Sequence, residues 1–257
     1  MKRFISALLI TILLSSCAFV PEDKPDVLVQ NSTIDALLDG VYDGYTTFRT
    51  LKQYGDFGIG TFNGLDGEMI ALDGVFYQIK SNGIAYKVSS SQETPFAVVT
   101  FFDFDSKQTL KKGMTFDTFK RMQNKLLDSL NIFYAIKISG KFKYVKVRSV
   151  PKQVKPYPQL KDVVKHQKVY EFKNVEGTIV GFFCPAYTKG INVPGCHLHF
   201  LNEQKNAGGH VLDFITEDVI MELDEKNDFF LSLPKSNAFR RSNLKKDRTL
   251  ELHKVEQ

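Results

Sequence analysis

Three turn-forming pairs, Asp66-Gly67, Asp73-Gly74 and Asn82-Gly83, fall within eighteen residues and separate short apolar or alternating runs. Glycine after Asp or Asn supplies the positive φ that tight hairpins need. The stretch from Gly55 to Phe104 is therefore predicted to fold as strands joined by turns. Its last part, Phe96 to Phe104, is rich in apolar β-formers and predicts a buried strand.

Helical spacing is confined to short stretches. Ser32 followed by Ile34-Asp35-Ala36-Leu37-Leu38 predicts a short helix with Ser32 as its cap and Asp35 completing a capping-box pattern, ended by Asp39-Gly40. Phe116, Phe119, Met122, Leu126 and Leu130 recur at helical spacing, so Thr115 to Leu130 is predicted as the longest helix. Asn131 to Val150 returns to alternation, with Ser139-Gly140 read as a hairpin turn. Pro151 to Pro158 is a proline-containing connector, Leu160 to Val164 starts a short helix, and Val169 to Leu233 is strand-rich again. The fold class expected is α+β, with few helices and two sheet-containing halves, 33–150 and 151–257.

The N-terminus reads as a leader. Lys2 and Arg3 precede the apolar run Ile5 to Leu14, which is too short for a comfortable membrane span. Leu14-Ser15-Ser16-Cys17 then resembles a lipobox, so residues 1–17 are expected to be a signal peptide and Cys17 the lipidated residue. Residues 18–32 are read as a tether. The protein is thus expected to be exported and lipid-anchored at the cell envelope, on its periplasmic or extracytoplasmic face, touching membrane only through that anchor. Cys184 and Cys196 lie on neighbouring predicted strands; a disulfide is open to them, and free buried thiols are the preferred reading.

Composition enters mainly as exclusion. A hydrophobic fraction of 43% and a charged fraction of 25% are those of a globular chain and exclude disorder and a polytopic membrane protein. The net charge of +5 is spread along the chain, with a mild cluster at Lys245, Lys246 and Arg248. No basic stripe with aromatic readers is present, so nucleic acid is not an expected partner.

Chemistry concentrates in Gly195-Cys196-His197-Leu198-His199-Phe200 and Gly208-Gly209-His210, which hold three of the five histidines. Residues two apart in a strand share a face, so His197 and His199 project together with Leu198 and Phe200 opposite. The polar segment Asn202 to Gly209 fits a turn, and a returning strand brings His210 beside the pair. Three imidazoles with open coordination positions suit a catalytic metal; by donor type alone zinc, copper, iron and nickel all remain open. Two further residues draw notice. Glu68 follows a turn at the start of an apolar strand, a place where many glutamates are simply solvated. Arg148, at a strand end, is the side chain type that binds a carboxylate bidentately.

At these residues the chain resembles the bacterial acetolactate decarboxylase family. The resemblance rests on Leu38-Asp39-Gly40-Val41-Tyr42-Asp43-Gly44, Tyr54-Gly55-Asp56-Phe57-Gly58-Ile59-Gly60-Thr61-Phe62-Asn63, Leu65-Asp66-Gly67-Glu68, Phe133-Tyr134-Ala135-Ile136, Gly177-Thr178-Ile179-Val180-Gly181-Phe182, Pro185-Ala186-Tyr187, His197-Leu198-His199-Phe200 and Gly208-Gly209-His210-Val211. It implies a zinc ion (Zn2+) held by His197, His199 and His210, with Glu68 and Arg148 at the site and Thr61 and Leu65 lining the pocket. It also implies a C-terminal glutamate, for which Glu256 is the better match and Glu251 the alternative. The activity implied is decarboxylation of 2-acetolactate, a small-molecule substrate, to acetoin and carbon dioxide, in acetoin and butanediol formation. A homodimer is left open. Two rival readings are an iron dioxygenase and a lipid-anchored metal-binding protein without catalysis.

Overall fold

The computed structural model describes residues 25–256. The leader and lipobox at 1–17, and the first part of the tether, lie outside the described residues. In chain order the strands are β1 (Val27–Asn31), β2 (Thr46–Thr47), β3 (Phe57–Thr61), β4 (Glu68–Leu72), β5 (Val75–Ile79), β6 (Ala85–Lys87) and β7 (Glu93–Thr94). They continue as β8 (Ala97–Thr100), β9 (Ser106–Thr109), β10 (Phe133–Ser149), β11 (Lys168–Cys184), β12 (Gly195–Asn202), β13 (Gly208–Lys226) and β14 (Asp228–Ser232). The helices are short: α1 (Ile34–Leu38), α2 (Phe48–Leu51), α3 (Phe116–Arg121), α4 (Gln123–Leu126), α5 (Leu160–Val163), α6 (Asn237–Arg241) and α7 (Thr249–Val255).

One sheet has the order β14-β1-β8-β3-β4-β5-β6, and a second has β10-β11-β12-β13-β9. In the second, β10 pairs with β13 as well as β11, so the four long strands close a ring of ladders. Alternation along each strand gives the sheets two apolar faces. Phe57, Ile59, Ile70 and Leu72 of the first sheet pack against Ala135, Val180 and Phe182 of the second. Met69, Ala71 and Phe76 face the other way, under α2. Leu198, Phe200 and Phe214 fill the core inside the long strands and beneath α3. Asp73 and Gly74, at φ 51° and 76°, make the two-residue turn between β4 and β5 that the sequence indicated.

Several expectations are corrected. The tether does not extend to residue 32: Val27–Asn31 forms β1, between β8 and β14, with Leu28 and Val29 buried. Polar residues ahead of these apolar ones obscured that strand. The α1 cap is Thr33, whose Oγ1 accepts from the Ala36 amide, while Ser32 lies at φ 66°. Thr115 does cap a helix, but that helix stops at Arg121, breaks at Met122 and resumes only to Leu126. Phe116 and Phe119 are buried whereas Leu130 is exposed, so no continuous apolar face exists to hold a longer helix. Ser139-Gly140 is not a turn. β10 runs through it, and a Cβ on Gly140 would lie 2.3 Å from the Asp218 carbonyl oxygen, so the glycine marks close backbone approach. The buried strand expected over Phe96 to Phe104 is limited to Ala97–Thr100.

The sheets also do not divide at 150/151. β10 precedes that boundary yet pairs along its length with β11 and β13, and β14 from the C-terminal side adds in parallel to β1. Cys184 and Cys196 are free. Phe183, not Cys184, is the cross-strand partner of Cys196, so the two thiols point to opposite faces.

Candidate metal centre

The three histidines lie where β12 and β13 meet. His199 is the cross-strand partner of His210, and His210 is also the partner of Arg148 on β10. Directly opposed residues share a face, so His199, His210 and Arg148 form one row across three strands. His197 precedes His199 by two residues and joins them on the face turned toward the first sheet. Leu198 and Phe200 point into the opposite core, as the alternation indicated.

The sequence between the histidines makes this packing feasible. The Asn202 side-chain oxygen accepts from the Asn206 and Ala207 amides and closes the turn. A Cβ on Gly208 would lie 2.1 Å from the Phe200 carbonyl oxygen, and one on Gly209 would lie 2.4 Å from that of Arg148. The two glycines let the start of β13 fit between β12 and β10, and so place His210.

The ligand nitrogens of His197, His199 and His210 all fall within 4.8 Å of one another. His197 Nε2 and His210 Nδ1 are 3.1 Å apart. His199 Nδ1–H donates to the Met69 carbonyl at 2.9 Å, which leaves Nε2 as the lone-pair nitrogen facing the cluster. That Nε2, and Nδ1 of His197, are buried with no hydrogen-bond partner. Buried polar atoms are ordinarily paired, and a cation among the three rings supplies a partner for His199 Nε2, which faces Glu68 across the cluster. The donor set therefore fits a metal ion. Burial pushes the His197 imidazole down to about 3, helped by the Arg148 charge. Burial likewise holds His199 and His210 well below the usual imidazole range. The rings are thus neutral at physiological pH, the form that coordinates metal.

Two carboxylates and one guanidinium complete the cluster. Glu68 opens β4 and turns to the same inter-sheet face as Ile70, which sets its Oε2 3.8 Å from His199 Nε2. Thr61 is its cross-strand partner and lines the cavity with Leu65; the Thr61 hydroxyl donates to the Gly67 carbonyl at 2.7 Å, and Leu65 sits at φ 55°. Glu256, just past α7, brings Oε2 to 3.7 Å from His210 Nε2 and 4.0 Å from His197 Nε2. Glu251 is turned away, paired with Lys246 and Arg248. Arg148 Nη1 lies 3.7 Å from Glu68 Oε1, and its Nη2 donates to the Val255 carbonyl at 2.9 Å. Burial raises Glu68 to about 7, with Arg148 opposing the shift and Glu256 adding to it. Burial raises Glu256 to about 7 as well, again opposed by Arg148. Both carboxyls are therefore poised to hold or release a proton near neutrality.

The three histidines, Glu68, Arg148, Glu256, Thr61 and Leu65 all line this one cavity, whereas Glu251, the alternative to Glu256, does not. What sequence reasoning missed are the backbone carbonyls of Met69 and Val255, which orient His199 and receive Arg148. No side-chain pattern signals a carbonyl's role.

Comparison with known proteins gives a consistent result. The sequence model of the family described as alpha-acetolactate decarboxylase matches residues 28–246, so Arg248, Glu251 and Glu256 lie beyond the matched part. An alpha-acetolactate decarboxylase of Methanosarcina mazei is 52% identical over 237 residues, covering 92% of this chain and 82% of its own. One of Bacillus subtilis is 46% identical, covering 87% of this chain and 88% of its own. A crystal structure of the alpha-acetolactate decarboxylase from Bacillus subtilis superposes with a TM-score of 0.86 at 44% identity, covering 90% of this chain and 98% of that one.

Proposed function

The chain belongs to the alpha-acetolactate decarboxylase family, and from that premise we propose that His197, His199 and His210 hold a zinc ion at its active site. The enzyme removes carbon dioxide from 2-acetolactate and leaves acetoin. The observation that carries the zinc reading is the row His199–His210–Arg148, with His197 beside it and His199 Nε2 buried without a partner and facing the cluster. Nitrogen donors alone admit several metals. Zinc is favoured because the reaction needs charge stabilisation and no redox step. When bound, the ion supplies a Lewis acid that stabilises the charge developing on the substrate oxygens.

The chain's own residues account for the rest. The Arg148 guanidinium, 4% exposed, orients the substrate carboxylate for loss. Breaking the carbon–carboxylate bond leaves an electron pair that spreads into the adjacent ketone, and one proton completes acetoin. Glu68 and Glu256 are the carboxyls placed to deliver it, each held near 7 by burial. Thr61 and Leu65, with apolar neighbours such as Phe96 and Val150, exclude water from the reacting carbon.

The test is direct. Purified zinc-loaded protein given racemic acetolactate is expected to release acetoin and carbon dioxide without oxygen uptake. Acetoin-free incubation with zinc bound would favour a metal-binding role, and oxygen consumption an iron dioxygenase. For location, the reading is export with lipidation at Cys17; Cys17→Ser is expected to abolish labelling by a fatty-acid analogue, and undiminished label would overturn that reading while leaving the enzymology intact.

A further inference from the structure

The tail that delivers Glu256 has few ladder bonds to rely on. α7 has a single buried residue, Val255, and its N-cap residue, Arg248, makes no capping bond of its own, although Asp247 Oδ1 just before it accepts from the Thr249 amide at 2.9 Å. Beside the packing of Val255 and Leu252 against the core, it is held by Arg248, a charged residue 3% exposed immediately before the helix. Its Nη2 pairs with Asp39 Oδ1 and its Nη1 with Glu251 Oε2 at 2.7 Å. Asp39 caps the C-terminus of α1, and its second oxygen accepts from the Asn243 amide at 3.1 Å. Glu251 is bridged in turn to Lys246 and to Lys161 on α5. One buried guanidinium thus ties the tail to α1 at its start. At its end, the Val255 carbonyl accepts from Arg148.

Glu256 and His210 line both the inner cavity and a broad outer cleft of about 750 Å3 between the tail and β12. The Glu256 carboxyl is therefore part of the partition between the metal centre and the outside. Its place depends on where α7 is anchored.

We propose that Arg248 is a positioning residue for the reaction: its forked pairing with Asp39 and Glu251 fixes α7 and so sets Glu256 against the histidine cluster. Arg248 lies at the far end of α7 from Glu256 and reaches the site only through the tail it anchors. The inference rests on the reading of Glu256 as a residue of the metal centre. A buried charge that loses one partner is strongly destabilising locally, so cutting the latch frays the tail while the two sheets, held by their own ladders, remain. The metal centre then keeps three imidazoles and loses a fixed carboxyl.

The experiment compares the full chain with Arg248→Ala, Arg248→Lys, Asp39→Asn, Glu256→Gln and the double variant R248A/E256Q. Zinc affinity is read by chelator competition, turnover by acetoin release, and fold by thermal melting of the zinc-free chain. Arg248→Ala is expected to weaken zinc binding or turnover about 10- to 100-fold, the range for residues that orient a metal's ligands. kcat is expected to fall more than KM rises, with the main melting transition little changed. Asp39→Asn, which cuts the latch from its other side, is expected to act in the same direction, and Arg248→Lys less severely because one charge remains without the fork. In the E256Q background, Arg248→Ala is expected to cost clearly less than it does alone, the remainder acting through the Val255 carbonyl that Arg148 bonds. Wild-type zinc affinity and kcat in both Arg248→Ala and Asp39→Asn would overturn the proposal, as would full additivity in the double variant. If Glu256→Gln alone changes neither zinc affinity nor turnover, it is the placement of Glu256 in the chemistry that fails, and the latch falls with it.

Discussion

The hairpin bearing the three histidines and the tail bearing Glu256 meet at one site but are held there by different forces. His199 and His210 are opposite each other in a ladder that continues into β10 and β11. Their spacing is set by backbone hydrogen bonds shared with the whole sheet. Glu256 is placed by a seven-residue helix that leans on side-chain pairs made by Arg248 and on one hydrogen bond from Arg148. The first arrangement persists as long as the sheet does. The second can be lost without unfolding the protein, and the two parts of the site are therefore expected to fail separately.

The largest effect is expected on the hairpin side. His210→Ala removes the ring between His199 and Arg148 and should abolish both stoichiometric zinc and acetoin formation, measured by metal analysis and turnover on the same sample. Full zinc occupancy in that variant would take His210 out of the centre. Arg148→Lys is next and touches both regions, since Arg148 lies in the histidine row and also bonds the tail. Zinc should stay, while kcat falls by the equivalent of about 2–4 kcal/mol, as for loss of one preorganised electrostatic partner. Near-normal kcat would mean that the planar fork is not used on the carboxylate.

The smallest effect concerns protons in the zinc-free chain. Burial lowers His197 to about 3, so below pH 6.5 the unfolded chain binds a proton that the folded one refuses, and stability falls as pH drops. His199 and His210 act in the same direction. Glu68, raised to about 7, opposes them: its contribution is fully present below about 4.5 and is lost as pH rises through 7. Glu68→Gln deletes that opposing contribution. The zinc-free variant should therefore lose stability more steeply than wild type between pH 7 and 4.5, by denaturant titration at several pH values. An unchanged slope would show that Glu68 does not titrate in this window.

The same contrast explains what could be read in the sequence. His197, His199 and His210 were legible because period-two alternation and a polar glycine-containing turn are local signals that the ladder then enforces. Glu68 and Arg148 had no such local mark. A strand-end glutamate and arginine look alike whether solvated or buried, so position and residue type only drew notice to them, and family resemblance placed them at the site. Glu256 against Glu251 could not be decided because both lie in one short polar segment, Glu251 in α7 and Glu256 just past it, and it is the pairing of Glu251 with Arg248 and Lys246 that leaves Glu256 to the site. Arg248 looked like part of a surface cluster of basic residues, although it is almost fully buried, because its partner Asp39 is distant in sequence. Ser139-Gly140 misled for a related reason: glycine serves turns and close strand approach alike, and only the Asp218 carbonyl across the ladder tells them apart.

The central claim, that decarboxylation depends on a metal held by the three hairpin histidines, is tested most directly by returning zinc to a chelated chain. Bound zinc and acetoin release are followed together through the titration. The expected result is activity rising in proportion to bound zinc and levelling at one ion per chain, with no response in His210→Ala. Undiminished acetoin formation by the zinc-free chain would contradict the account.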